Sequence, residues 1–186
     1  MTARKLLVAL GLLLGATTAS ATVEYTFVAD GVTNSVSQQG TAKFAFSDDA
    51  TSLTITLTDN VDPTSLIASE LDGLLFTLTE TPTTLDLLSV TPQSVINCNG
   101  VVGPTDSCPA GTGTDPYGWG SLQNGASFAL GAGFTGNGFS YHPYAIVNEN
   151  YLAPGGNGGL SNNQHNPLLV GPVTFTFSLS GLSFVP

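Results

Sequence analysis

Basic residues are almost absent from this chain. Its 186 residues include three Lys and Arg residues against 13 Asp and Glu residues. Arg4 and Lys5 lie at the N-terminus, so Lys43 is the only base after residue 21, and that part has a formal charge of −12 with histidine neutral. Proteins bind nucleic acids and anionic membrane surfaces mainly through Lys and Arg. The composition therefore excludes nucleic acid as a partner and disfavours an anionic lipid surface.

Cysteine is equally scarce. Cys98 and Cys108 are the only two cysteines, within the stretch CNGVVGPTDSC. An even count in an exported chain predicts one disulfide, here closing a short loop. A zinc site needs further ligands, and neither a histidine nor a third cysteine flanks the pair.

The N-terminus carries the features of a secretory signal peptide. Arg4 and Lys5 precede the apolar run LLVALGLLLGA, and Ala19-Ser20-Ala21 forms an A-x-A cleavage site. The apolar run is too short for a permanent anchor, which needs about 20 apolar residues. We therefore expect residues 1–21 to be a cleaved signal peptide. Residues 22–186 then form a single exported domain without a membrane span.

Motifs that would indicate catalysis are missing. The chain contains no G-x-S-x-G nucleophile elbow and no H-E-x-x-H zinc motif, and it has two histidines in all. The stretch GAGFTG at 131–136 has G-x-G-x-x-G spacing, but the Gly- and Pro-containing NGFSYHPY that follows cannot open the helix that a dinucleotide site needs. We therefore expect a protein that is not an enzyme and has no catalytic residues.

Alternation of apolar and polar residues predicts an all-β fold. TSLTITLT at 51–58 and VTFTFSLS at 173–180 each place apolar side chains on one face of a strand. Further strands are predicted at 23–29, 41–47, 72–79, 84–90, 93–97, 125–130 and 182–185, and only 63–71 is compatible with a short helix. Many short strands separated by Gly, Pro and Asn turns are typical of a β-sandwich or jelly roll.

Paired aspartates have two interpretations. Asp48 and Asp49 suit the turn between two predicted strands. The same pair, or Asp59 with Asp62, also offers the oxygen ligands that Ca²⁺ prefers. No other cofactor is expected.

Aromatic residues concentrate in a region at about 99–165. This region is rich in Gly, Asn and Pro, so long Gly/Asn-rich loops are expected there. Trp119 and four of the five tyrosines lie there: Tyr117, Tyr141, Tyr144 and Tyr151. Such rings can stack on sugars when they are exposed. Alternatively, they cover the open ends of the sandwich as part of the core, which is the more common fate of large aromatic side chains.

Three segments carry a family resemblance: GTAKFAFSDDATSLTITLTDN, SELDGLLFTL and HNPLLVGPVTFTFSLSGLS. Together they resemble the exosortase-dependent (PEP-CTERM) surface proteins of Gram-negative bacteria. That resemblance implies a location at the cell surface and a structural or matrix role, without shared catalytic residues. Members usually end in a Pro-Glu-Pro signal, a transmembrane helix and a basic cluster, whereas this sequence ends in SFVP.

The sequence thus predicts a non-catalytic, secreted or cell-surface protein with a structural or adhesive role. Extracellular polysaccharide or other surface proteins are its expected partners. A carbohydrate-binding module that uses the aromatic loops is one alternative, and a secreted hydrolase of unknown type is another.

Overall fold

A computed structural model describes residues 23–33, 36–61, 71–96, 102–103, 117–132, 144–151 and 167–182. These residues form twelve strands in three hydrogen-bonded sheets, which confirms the all-β prediction. In this part of the chain no helix is long and apolar enough to cross a membrane. The strands are β1 (Val23–Thr33), β2 (Val36–Phe46), β3 (Ser52–Asp59), β4 (Gly73–Thr77), β5 (Thr84–Thr91), β6 (Ser94–Ile96), β7 (Val102–Gly103), β8 (Trp119–Asn124), β9 (Ser127–Ala132), β10 (Ile146–Val147), β11 (Leu168–Val170) and β12 (Val173–Ser180).

The largest sheet, called the long sheet, has the strand order β1-β2-β3-β12-β5 and is antiparallel throughout. Alternation determines its core face, because successive side chains of a strand point to opposite sides. Ile55 on β3 is directly opposite Phe175 on β12, and both are fully buried. The Thr residues between the apolar positions are only half-buried. On this outer face the hydroxyl oxygens of Thr56 and Thr174 lie 3.4 Å apart.

A second sheet, called the small sheet, has the order β4-β9-β8 and packs over the core face of the long sheet. Phe76 on β4 meets Phe44 on β2 with ring centroids 5.2 Å apart. At the other side of the small sheet, Trp119 on β8 meets Phe175 with centroids 4.6 Å apart. Two sheets enclosing one apolar core form the predicted β-sandwich.

The third sheet, β10-β11-β6-β7, continues two strands of the long sheet around a corner. Strand β11 leads into β12, and β5 leads into β6, so each antiparallel pair spans both sheets. Gly171 makes the first of these corners with a φ of +81°, a conformation in which a Cβ would fall on the side chain of Gln93. This sheet adds Val95, Ile146 and Leu169 to the main core.

The hairpin between β2 and β3 turns at Asp48 and Asp49, as predicted from the sequence. The Asp49 carboxylate accepts hydrogen bonds from the Ser47 hydroxyl at 2.7 Å and from the Thr51 hydroxyl at 2.8 Å. It also accepts one from the Thr51 main-chain N–H at 3.1 Å. These bonds hold the pKa of Asp49 below its usual value of 3.8.

Several strands and segments differ from the prediction or cannot be compared with it. Strands β7, β8, β10 and β11 were not predicted, and Leu182, the described residue of the strand predicted at 182–185, lies outside any strand. Three predicted features lie outside the described residues: the signal peptide predicted at 1–21, all but the last residue of the possible helix at 63–71, and the cysteines Cys98 and Cys108.

Candidate binding cleft

Trp119, the first of the aromatic residues considered for ligand binding, lies in the core. Its side chain is 1% exposed and packs against Phe175. The indole N–H, the only polar group of this ring, donates a 3.0 Å hydrogen bond to the main-chain carbonyl oxygen of Tyr144. A buried Trp whose N–H is satisfied in this way is part of the core and is closed to a ligand.

The tyrosines divide into three groups. Tyr144 and Tyr151 are buried, and Tyr117 is half-buried with its ring 5.5 Å from that of Tyr144. Tyr141 lies outside the described residues. The expectation of exposed, ligand-stacking rings is thus corrected for Trp119, Tyr144 and Tyr151, whose burial matches the alternative that they close the core. Ligand binding by Tyr117 and Tyr141 stays a prediction.

The aspartates considered as calcium ligands also differ in their surroundings. The carboxylate of Asp49 is engaged by the hairpin turn, as described above. Asp59 is 4% exposed and accepts a 3.0 Å hydrogen bond from the N–H of Val61, whereas Asp62 lies outside the described residues. Within the described ranges, no group of three or more His, Cys, Asp or Glu side chains is arranged to hold a metal. Calcium binding stays a prediction.

A large apolar cleft opens where the two sheets differ in width. The long sheet has five strands and the small sheet three. Strand β4 lies over β2, so β1 extends past the edge of the small sheet and its core-facing side chains are uncovered. We call the space between these two edge strands the β1–β4 cleft. Its volume is about 1140 Å³.

The exposed fractions of neighbouring side chains on one face show that the small sheet covers β2 and leaves β1 uncovered. Tyr25 on β1 is directly opposite Phe44 on β2, and Phe27 is opposite Ala42, so all four share the core face of the long sheet. Phe44 and Ala42 are each 6% exposed, whereas Tyr25 is 51% and Phe27 is 59% exposed. Strand β1 therefore carries core-type side chains without a second layer over them.

Apolar groups dominate the rest of the cleft. Leu71, Leu74, Leu78 and Leu182 line it together with Phe76, and Leu75 at its edge is 74% exposed. Among the residues that line it, Glu80 is the only charged one, and the hydroxyl groups come from Tyr25, Thr41, Thr77 and Thr79. Such a lining can bind an apolar surface by excluding water, and it offers few partners to a strongly polar ligand.

One edge of the cleft also carries main-chain hydrogen-bonding groups. Within the described residues, β4 pairs only with β9, and the N–H of Leu78 donates to the carbonyl of Ala126 at 3.0 Å just beyond that ladder. Hydrogen-bonded pairs alternate along antiparallel strands, so the N–H and C=O groups of Leu75 and Thr77 point away from β9, towards the open edge.

The sequence contained a sign of this cleft in β1. Its segment YTFVA has large apolar residues at Tyr25 and Phe27 and another, Val28, on the opposite face.

No protein-family model, no curated protein and no solved structure matches the chain.

Proposed function

We propose that this chain is an exported, non-catalytic protein of the cell surface or extracellular matrix that adheres to a partner through the β1–β4 cleft. The observation that carries the proposal is the exposed row of core-type side chains on β1. Contiguous exposed apolar surface of this kind marks sites where another molecule binds. The predicted signal peptide and the resemblance to exosortase-dependent surface proteins support the location.

The exposed apolar side chains at this surface contribute free energy to adhesion. An aromatic side chain buries about 150–250 Å². Covering the exposed part of Phe27 alone then removes about 100 Å² from water and stabilises a complex by about 2–3 kcal/mol. Tyr25 and Leu75 add comparable areas, which together offset part of the entropy cost of association.

A carbohydrate ligand fits this cleft less well. Sugar hydroxyls need hydrogen-bonding side chains beside the rings on which they stack, and the rings of Tyr25 and Phe27 have few such neighbours. That alternative used the loops around Trp119 and Tyr141; Trp119 is buried, and Tyr141 lies outside the described residues. We therefore favour an apolar or protein partner over a polysaccharide.

Binding of the labelled, purified protein to the surface of the cells that produce it tests the proposal. We expect Phe27→Ser to weaken binding at least tenfold and to lower the thermal midpoint only slightly, because Phe27 is 59% exposed and its main core contact is one edge-to-face pair with Phe44 at 5.5 Å between ring centroids. Leu122→Ser is the matched control, since Leu122 is 47% exposed on β8, outside the cleft. Equal binding by both variants and the wild type would refute the proposal.

A further inference from the structure

We infer that the partner is an extended polypeptide strand with alternating apolar side chains and basic flanking residues, which adds to the open edge of β4 above β1. This inference rests on the proposed function and names the chemistry of its partner. It follows from the width of the two sheets, from the main-chain groups at the edge and from the charges around the cleft.

The space above β1 fits one further strand of the small sheet. Neighbouring strands in a sheet lie about 4.8 Å apart, and packed sheets lie about 10 Å apart. Strand β4 covers β2 through the contact of Phe76 with Phe44. A strand added beside β4 therefore lies over β1, where its alternate side chains face Tyr25 and Phe27. The added strand would extend the small sheet from three strands to four.

Main-chain groups distinguish a strand from a lipid chain as the occupant. The N–H and C=O groups of Leu75 and Thr77 face the cleft edge, and a peptide backbone can pair with them whereas an acyl chain would leave them without a partner. Peptide recognition by strand addition gains affinity from such main-chain bonds and specificity from alternate side chains. The cleft presents both features along one edge.

Acidic residues flank β4 at the edge of the cleft. Asp72 directly precedes β4 and Glu80, which lines the cleft, follows it, whereas Glu24 and Asp30 alternate with Tyr25 and Phe27 and therefore lie on the opposite face of β1. The only base after residue 21, Lys43, is already held by Glu24 at 2.9 Å. Basic residues on either side of the partner's apolar segment complement these charges.

The same charges argue against a second copy of this chain. Two copies would bring together molecules of formal charge −10 each, or −12 after loss of the signal peptide. Self-repulsion of such molecules opposes association, although salt screens it beyond about 10 Å at 0.1 M ionic strength. A partner with neutral or positive charge avoids this cost.

Fluorescence anisotropy with the purified protein and synthetic peptides tests the inference. The probe is a mixture of labelled peptides of about seven residues, long enough to pair along β4. Val, Ile or Phe alternate with Thr, and a Lys stands at each end. Two matched mixtures carry N-methyl groups on either alternate set of amides. A fourth mixture replaces the terminal Lys by Glu, and a fluorescent long-chain alcohol serves as the acyl probe.

We expect the parent mixture to bind, one N-methylated mixture to lose at least tenfold in affinity while the other binds as before, and the Glu mixture to bind more weakly. Equal binding by both N-methylated mixtures would overturn strand addition. So would binding of the alcohol in place of the peptides, or dimers of the protein that exclude the peptides. If no peptide binds while Phe27→Ser still abolishes cell-surface binding, the inference fails and the proposed function stands.

Discussion

The indole N–H of Trp119 donates a 3.0 Å hydrogen bond to the main-chain carbonyl of Tyr144, and both side chains are buried. This bond ties the small sheet to the segment that leads into β10. Because both side chains are buried, Trp119 and Tyr144 stabilise the fold. Ligand binding then requires other residues that are exposed.

Removing the Trp119 ring should therefore destabilise the protein strongly. We expect Trp119→Ala to lower the free energy of unfolding by about 3–5 kcal/mol through cavity formation. Trp119→Phe leaves the Tyr144 carbonyl without its donor and should cost about 1–3 kcal/mol. Urea denaturation measures both values. Leu122→Ala on the same strand is the exposed control, and a Trp119→Ala variant as stable as that control would contradict the core assignment.

Adjacent residues of β12 should differ sharply in their contribution to stability. Phe175 is fully buried between Ile55 and Val90 on the neighbouring strands, whereas Thr176 points to the half-buried outer face. Phe175→Ala should cost about 3–5 kcal/mol and Thr176→Ala under about 1 kcal/mol, as measured by thermal or urea unfolding. Similar losses at both positions would mean that both faces of β12 are buried.

Buried Asp59 should make stability depend on pH. Burial raises its pKa to about 6 from an ordinary 3.8, although hydrogen bonds from Val61 and Asn148 act in the opposite direction. The folded protein thus retains this proton to higher pH than the unfolded chain. The resulting stability is present below about pH 4 and is lost as the pH rises through about 6, by at most about 3 kcal/mol.

Urea denaturation at a series of pH values, with a chelator present, measures this dependence. The difference in unfolding free energy between the wild type and Asp59→Asn should fall as the pH rises from 4 to 6. Leu88→Ala, at an exposed position of β5, is the control; it removes no titratable group and should change in parallel with the wild type. A pH-independent difference for Asp59→Asn would disprove the assignment.

Cys98 and Cys108 lie outside the described residues, and their disulfide stays a prediction. Non-reducing peptide mapping of the exported protein should recover one linked peptide. Reduction should then lower stability by about 2–3 kcal/mol, the value expected for closing so short a loop. Two free thiols in freshly exported protein would contradict the pairing.

The strands with regular alternation were the predictable part of the fold. Segments 51–58 and 173–180 correspond to β3 and β12, because a period of two with one buried face specifies both the strand and its orientation. Strand β8 was missed, because WGSLQN lies in a Gly-rich region and lacks a strong apolar alternation. The two- and three-residue strands β10 and β11 are too short to show a period.

The cleft could not be predicted from local pattern. Tyr25 and Phe44 both occupy alternating apolar positions, and only the packing of β4 over β2 buries one and exposes the other. The sequence favoured ligand binding by Trp119, because this residue lies in a Gly-rich region expected to form loops and loops often carry function. Its burial depends on the long-range contact with Phe175, which no local pattern encodes.

Amide hydrogen exchange of the purified protein, with and without the alternating peptides, locates the binding surface most directly. Strand addition predicts slower exchange at Leu75 and Thr77, whose N–H groups face the open edge, and unchanged exchange in β8 and at residues 144–151. Slower exchange confined to β8 and residues 144–151, with Leu75 and Thr77 unaffected, would contradict binding in the β1–β4 cleft.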